Sequence, residues 1–152
     1  MVSNGSGWGR DGRTRRDGRP AVSSRGDEGS GGSQVKVLIA DDDRLVRTML
    51  GDVLAELGHA VVAAKDGAEA VTCCDREPPD LLILDFLMPR LSGLDALRDI
   101  RKRHGIPAIL ITAINEGSLR GVDGVDQVQG LLEKPFTRKS VEAAIAKAVG
   151  RR

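Results

Sequence analysis

The tetrapeptide LLIL at 81–84 is apolar at every position and is followed at once by Asp85. A strand with one wet face alternates apolar and polar residues. An unbroken apolar run suits a strand buried on both faces, as in a parallel sheet covered by helices. Similar short runs occur at 35–40 (VKVLIA), 59–64 (HAVVAA) and 106–112 (IPAILIT), with a weaker one at 128–132. Between them, apolar residues recur at helical spacing. Leu45, Val46, Met49, Leu50, Val53, Leu54 and Leu57 form one such series, stopped by Gly58. A short helix is predicted over 67–74, closed by Pro78 and Pro79. Leu94, Leu97, Ile100 and Arg101 mark a third helix, ending at His104 and Gly105. Thr137 supplies a cap for a last helix carrying Val141, Ala144, Ile145, Ala148 and Val149.

Strands alternating with helices predict an α/β fold with right-handed crossovers. The natural solution is a doubly wound, five-stranded parallel sheet in the order 2-1-3-4-5, the flavodoxin-like arrangement. One crossover fits poorly. Gly117, Gly121, Gly124 and Gly130 interrupt the segment where a fourth helix belongs. Each interior Gly costs about 1 kcal/mol relative to Ala, so this helix is expected to be short, mobile or partly lost.

Residues 1–33 are Gly, Ser, Arg and Asp with little to bury. Such a segment cannot offset its ordering entropy, and a disordered, solvated tail is expected there. The foldable unit is then 34–152. Aromatic residues are only 2% of the chain, so its core must be aliphatic. A net charge of +1 gives no global field that points to nucleic acid or membrane. The two cysteines, Cys73 and Cys74, are adjacent and have no other partner. A disulfide framework is excluded, and a cytoplasmic location fits best. No apolar run approaches the roughly 18–20 residues that span a bilayer, and the N-terminus has no secretory pattern.

In open parallel sheets, ligands bind beyond the carboxyl ends of the strands. Strand 1 ends in Asp41, Asp42 and Asp43, strand 3 in Asp85 and strand 4 in Thr112; strand 5 is followed by Lys134. Strand 2 ends in nothing comparable. Carboxylates gathered on one rim repel unless a cation or a proton joins them. Mg²⁺ prefers oxygen and is usually held by one or two carboxylates plus phosphate oxygens. A carboxylate beside it is a competent nucleophile for phosphoryl transfer, which needs positioning and charge neutralisation above all. Asp43 is read as the cap of the first helix instead. His59 and His104 lie at turns and are given no chemistry.

The motifs VLIADDD, LLILDFLMPRLSG, AILITA and LLEKPF, in this order, resemble the receiver (CheY-like) domain of bacterial two-component response regulators. The resemblance covers roughly 35–149 and implies a role for each matching residue. Asp85 matches the phosphoacceptor. Asp42 matches the carboxylate that binds Mg²⁺ directly, Asp41 its companion, and Leu87 the position whose backbone carbonyl completes the metal site. Thr112 and Lys134 match the switch hydroxyl and the phosphate-facing lysine. The bond before Pro135 is expected to be cis. The implied partners are a histidine kinase or histidine phosphotransfer protein as donor and a downstream protein as target. No enzyme activity is implied beyond Mg²⁺-dependent self-phosphorylation and autodephosphorylation on Asp85. With nothing after Arg152 to form a DNA-binding domain, a stand-alone receiver is expected.

Two departures from the family pattern stand out. Receivers commonly carry Tyr or Phe three residues before the lysine, where this chain has Leu131. Leu87 and Ile114 stand where many relatives carry polar side chains. The alternative function is a receiver-like binding module that acts without phosphorylation. An Mg²⁺ phosphohydrolase with an Asp nucleophile is disfavoured, because its general acid would occupy the position of Leu87.

Overall fold

Each apolar run forms a strand, and the strands pair in parallel in the order 2-1-3-4-5. The computed structural model describes residues 34–150; the tail expected over 1–33 lies outside the described residues. In chain order the elements are β1 (Lys36–Ala40), α1 (Arg44–Glu56), β2 (Ala60–Ala64), α2 (Gly67–Arg76), β3 (Leu81–Asp85), α3 (Gly93–Ile100), β4 (Ala108–Thr112), α4 (Glu116–Leu119), β5 (Gly130–Glu133) and α5 (Arg138–Gly150). Strands β1, β3 and β4 are buried along their whole length.

The two faces of the sheet are covered by different helices. Leu38, Ala40, Leu82, Leu84 and Leu110 point to one side, where they meet Ala70 and Cys74 of α2 and Leu94, Leu97 and Ile100 of α3. The alternate residues Val37, Ile39, Leu81, Ile83, Ile109 and Ile111 point to the other. There they meet Leu50 and Leu54 of α1 and Val141, Ala144, Ile145 and Ala148 of α5. This period-two split is the pleat expressed as two aliphatic cores.

The caps follow the sequence closely. Asp43 accepts a hydrogen bond from Leu45 N–H at the start of α1, Asp66 from Glu69 N–H at α2, and Ser92 from Asp95 N–H at α3. Thr137 Oγ1 accepts from Ser140 N–H at 3.0 Å, while Ser140 Oγ accepts from Thr137 N–H at 2.8 Å, a reciprocal cap for α5.

Some expectations need correction. The fourth strand starts at Ala108, not Ile106; Pro107 has no N–H to give the ladder. The fifth starts at Gly130, not Val128. The apolar series on the first helix is broader than its buried face, for Leu45 is 64% and Met49 47% exposed. The fourth helix is reduced to the single turn α4 plus a 3₁₀ turn, Val125–Gln127. Gly121 and Gly124, with φ of 89° and 96°, break it where an α-helix cannot continue. Arg101 fastens the remnant. Its guanidinium donates to the carbonyls of Ile106 and Gln127 and to Gln129 Oε1. No helix among the described residues is long and apolar enough to cross a membrane.

Candidate functional site

Parallel pairing puts the carboxyl ends of all five strands on one edge. Ala40 is in register with Leu84, and Asp85 with Ile111. The residues one step further, Asp41 and Asp85, therefore face each other across β1 and β3. Carboxylate oxygens of Asp41, Asp42 and Asp85 all lie within 4.8 Å of one another. Lys134 arrives from the end of β5, with Nζ 3.3 Å from Asp41 Oδ2 and 3.5 Å from Asp85 Oδ1. The Lys134-Pro135 peptide bond is cis, as the resemblance implies.

The electrostatics of this group are one-sided. Asp41 is fully buried and Asp85 nearly so, whereas Asp42 is exposed. Burial first, then the Asp41 charge, pushes the Asp85 carboxyl up to about 6, although the Lys134 ammonium and the Leu87 N–H pull it down. Burial opposes the Lys134 charge, but the Asp41 and Asp85 carboxylates outweigh it and hold that pKa above the ordinary lysine value. Three carboxylates thus converge where one ammonium pairs with two of them. Asp41 Oδ1 accepts from Asp43 N–H at 2.8 Å. Asp41 Oδ2 is the buried side-chain oxygen without a hydrogen bond among the described residues; its 3.3 Å approach to Lys134 is ionic only. An orphaned carboxylate oxygen, oxygen-only donors and excess negative charge fit a hard divalent cation.

Thr112 closes β4, and its hydroxyl is buried. Oγ1 accepts from Ile114 N–H at 2.9 Å, which leaves the hydroxyl hydrogen free to donate. The Thr112 carbonyl accepts from Lys134 N–H at 2.8 Å and so couples the ends of β4 and β5. The Leu87 side chain is 63% exposed, and its backbone N–H lies close enough to the Asp85 carboxylate to lower that group's pKa. Gly93 admits no side chain here: a Cβ would stand 2.2 Å from the Asp85 carbonyl oxygen.

Two residues near the site escaped the sequence reasoning. Asp66, just past β2, is buried and forms a 2.8 Å ion pair with Arg90 of the loop after Asp85. Strand 2 therefore does send a group to this rim. The only local signal was the Asp66, Gly67 pair, which reads as a helix cap. The histidines serve structure: His59 Nδ1 accepts from Val35 N–H at 3.2 Å, and His104 Nε2 lies 3.0 Å from Asp75 Oδ1. Cys74 is buried, which pushes its thiol up to about 11 and keeps it unreactive.

The fold agrees with comparisons to known proteins. Residues 37–146 match the model for the response regulator receiver domain. A probable transcriptional regulator ycf27 of Guillardia theta is 40% identical over 124 residues, covering 77% of this chain and 46% of that protein. The transcriptional regulatory protein PdtaR of Mycobacterium tuberculosis is 37% identical over 117 residues, covering 76% of this chain and 57% of its own. The chain spans about half the length of the curated relatives it matches. Among solved structures, the receiver domain of Francisella response regulator 1452 superposes with a TM-score of 0.68 at 27% identity, covering 77% of this chain and 98% of that one. The chemotaxis protein CheY4 of Vibrio cholerae shares the fold, with a TM-score of 0.71 at 24% identity over 76% of this chain and 99% of that one.

Proposed function

Because the chain belongs to the response regulator receiver domain family, we propose that it is a phosphorylation switch whose phosphoacceptor is Asp85. One observation carries the reading most of the way: Asp41, Asp42 and Asp85 converge within 4.8 Å, and the Lys134 ammonium lies against two of them. The donor is a phosphohistidine on a histidine kinase or phosphotransfer protein. An Asp85 carboxylate oxygen attacks phosphorus. The P–N bond breaks, its electron pair returns to the imidazole, and an aspartyl phosphate forms. Lys134 neutralises one phosphoryl oxygen, and the Thr112 hydroxyl donates to another.

Asp41, Asp42, Asp85 and the Leu87 carbonyl are the residues that would hold Mg²⁺, which would supply positive charge to the carboxylates and the phosphoryl oxygens. The unit is proposed to comprise 34–152 and to work in the cytoplasm, passing its state to a downstream protein by contact. The test is incubation with Mg²⁺ and acetyl phosphate, followed by intact mass. One added phosphate is expected, and it should vanish in Asp85→Asn. If neither acetyl phosphate nor any kinase yields an adduct, the second reading gains, a binding module that acts without phosphorylation. The remnant fourth helix and Leu131, half-buried against the α2/α3 core, favour an output face that departs from the family's usual one.

A further inference from the structure

The loop 86–93 joins Asp85 to α3, and its middle is strained. Leu91 N–H donates to Pro89 C=O at 2.7 Å, which makes Arg90 the centre of a three-residue γ-turn. The φ of Arg90 is 69°. Positive φ at the centre marks the rare, strained hand of this turn, and glycine would be the easy occupant. Arg90 is the non-glycine residue with positive φ among the described residues. Strained backbone persists where its surroundings over-determine it, so something outside the turn must hold it.

The holder is the rim of β2. Arg90 Nη2 lies 2.8 Å from Asp66 Oδ2. The Arg90 side chain is 73% exposed, but that of Asp66 is only 10% exposed. Asp66 is itself immobilised, because its other oxygen caps α2 at Glu69 N–H, 2.8 Å away. The Glu69 N–H and the Arg90 guanidinium together keep its carboxyl below the usual range, despite opposing burial. Next door, a Cβ on Gly67 would meet the Leu91 carbonyl oxygen at 2.8 Å, so the loop lies directly on the start of α2. The ends of the loop are tied as well. Gly93 N–H donates to Phe86 C=O at 3.1 Å and Phe86 N–H to Ile111 C=O at 2.8 Å, which leaves the Leu87 N–H near enough to the Asp85 carboxylate to lower its pKa.

We propose that the ion pair between Asp66 and Arg90 is a positioning clamp, which holds the strained turn closed and so fixes the Leu87 backbone against the Asp85 carboxylate. The clamp rests on the reading of Asp85 above only for its use, not for its geometry. Arg90 acts through the loop and touches no reacting atom. It is a positioning residue, held by Asp66 from the end of a strand that otherwise brings nothing to the site.

Three variants separate the clamp from mere surface charge. Arg90→Lys keeps the cation, Arg90→Gly removes it but relieves the turn, and Arg90→Ala removes it and keeps the strain. The first measurement is hydrogen exchange of the Leu87 amide by NMR in the metal-free protein. Exchange is expected to quicken about tenfold in Arg90→Ala, less in Arg90→Gly, and within twofold of wild type in Arg90→Lys. The second is Mg²⁺ affinity by calorimetry. It should weaken by about tenfold in Arg90→Ala, the lower end of what outer-shell substitutions cost a metal site, with rescue by Arg90→Lys. An Arg90→Ala protein whose Leu87 amide exchanges as in wild type overturns the clamp. So does loss in Arg90→Lys equal to that in Arg90→Ala. Failure of the wild type to bind Mg²⁺ overturns the reading of the site instead, while the metal-free exchange still decides the clamp.

Discussion

Gly93 lies directly beneath Asp85: a Cβ added to the glycine would come within 2.2 Å of the Asp85 carbonyl oxygen. The contact is with backbone, so it cannot be relieved by turning a side chain. Gly93→Ala must push the end of β3 away from the start of α3. We expect destabilisation of about 1–3 kcal/mol, the usual cost of forcing volume into a packed site. We also expect phosphorylation by acetyl phosphate to slow by roughly tenfold to a hundredfold, because a displacement of about 1 Å has that effect on a reacting group. Urea unfolding and the rate of mass gain check the two parts. Wild-type values in both would mean that the close approach is not present in solution.

Asp85 carries a stability cost that depends on pH. Its carboxyl is raised from 3.8 to about 6 in the folded metal-free protein. Below about pH 4 it is neutral folded and unfolded, and costs nothing. As pH rises through 4 to 6 the unfolded chain ionises first, so stability falls, and the penalty is complete above 6. Asp85→Asn should therefore stabilise the metal-free protein at pH 8, on the order of 1–3 kcal/mol. The gain should fade by pH 4. Thermal melts at the two pH values measure this, and an equal gain at both would contradict it.

Lys134 is the ammonium that faces Asp41 and Asp85. Its removal leaves the fully buried Asp41 carboxylate without an ion pair among the described residues. Lys134→Ala should cost on the order of 1–3 kcal/mol without Mg²⁺, below the full buried-pair penalty because the lysine is partly exposed. Excess Mg²⁺ should recover most of that loss, since a cation bound only by the folded state stabilises it by mass action. It should not recover phosphorylation, for which the ammonium is needed. Melts with Mg²⁺ or with a chelator test the first part, and intact mass the second. A loss untouched by Mg²⁺ would deny that lysine and metal serve the same carboxylates.

Arg101 does the fastening that a full fourth helix would do. Its guanidinium reaches Ile106 C=O at 2.9 Å and Gln129 Oε1 at 2.8 Å, and Gln129 Oε1 also accepts from Ala108 N–H. Arg101→Ala should cost about 2–3 kcal/mol, because hydrogen bonds to a charged group are lost and their acceptors are left half-satisfied. Amide exchange should rise chiefly over 121–129. A uniform rise across the sheet would show that the residue supports the whole fold and not this crossover.

Several elements were legible because they depend on local pattern. LLIL at 81–84 had to be a strand buried on both faces, and it is. Asp43 and Thr137 announce helix starts by residue type and do cap them. The stripe on the first helix was overread at Leu45 and Met49, because helical spacing marks an apolar face but not where a neighbour covers it. The glycines at 121 and 124 correctly signalled the weak crossover. Nothing local revealed that Arg101 would hold it, since its partners are up to 28 residues away.

The sequence by itself determined the alternation of strand and helix, and with it the edge to which Asp41, Asp85, Thr112 and Lys134 must come. Parallel strands all end on the same side, so residue order alone places those groups together. Only the tertiary structure decided how they meet: which carboxylates Lys134 touches, which oxygen of Asp41 is left without a hydrogen bond, and that Asp66 grips a strained Arg90 24 residues away. Local periodicity reports burial, which each residue carries in its own chemistry. Contacts between distant side chains depend on sheet register and on loop backbone angles, and neither is written in any short stretch of chain.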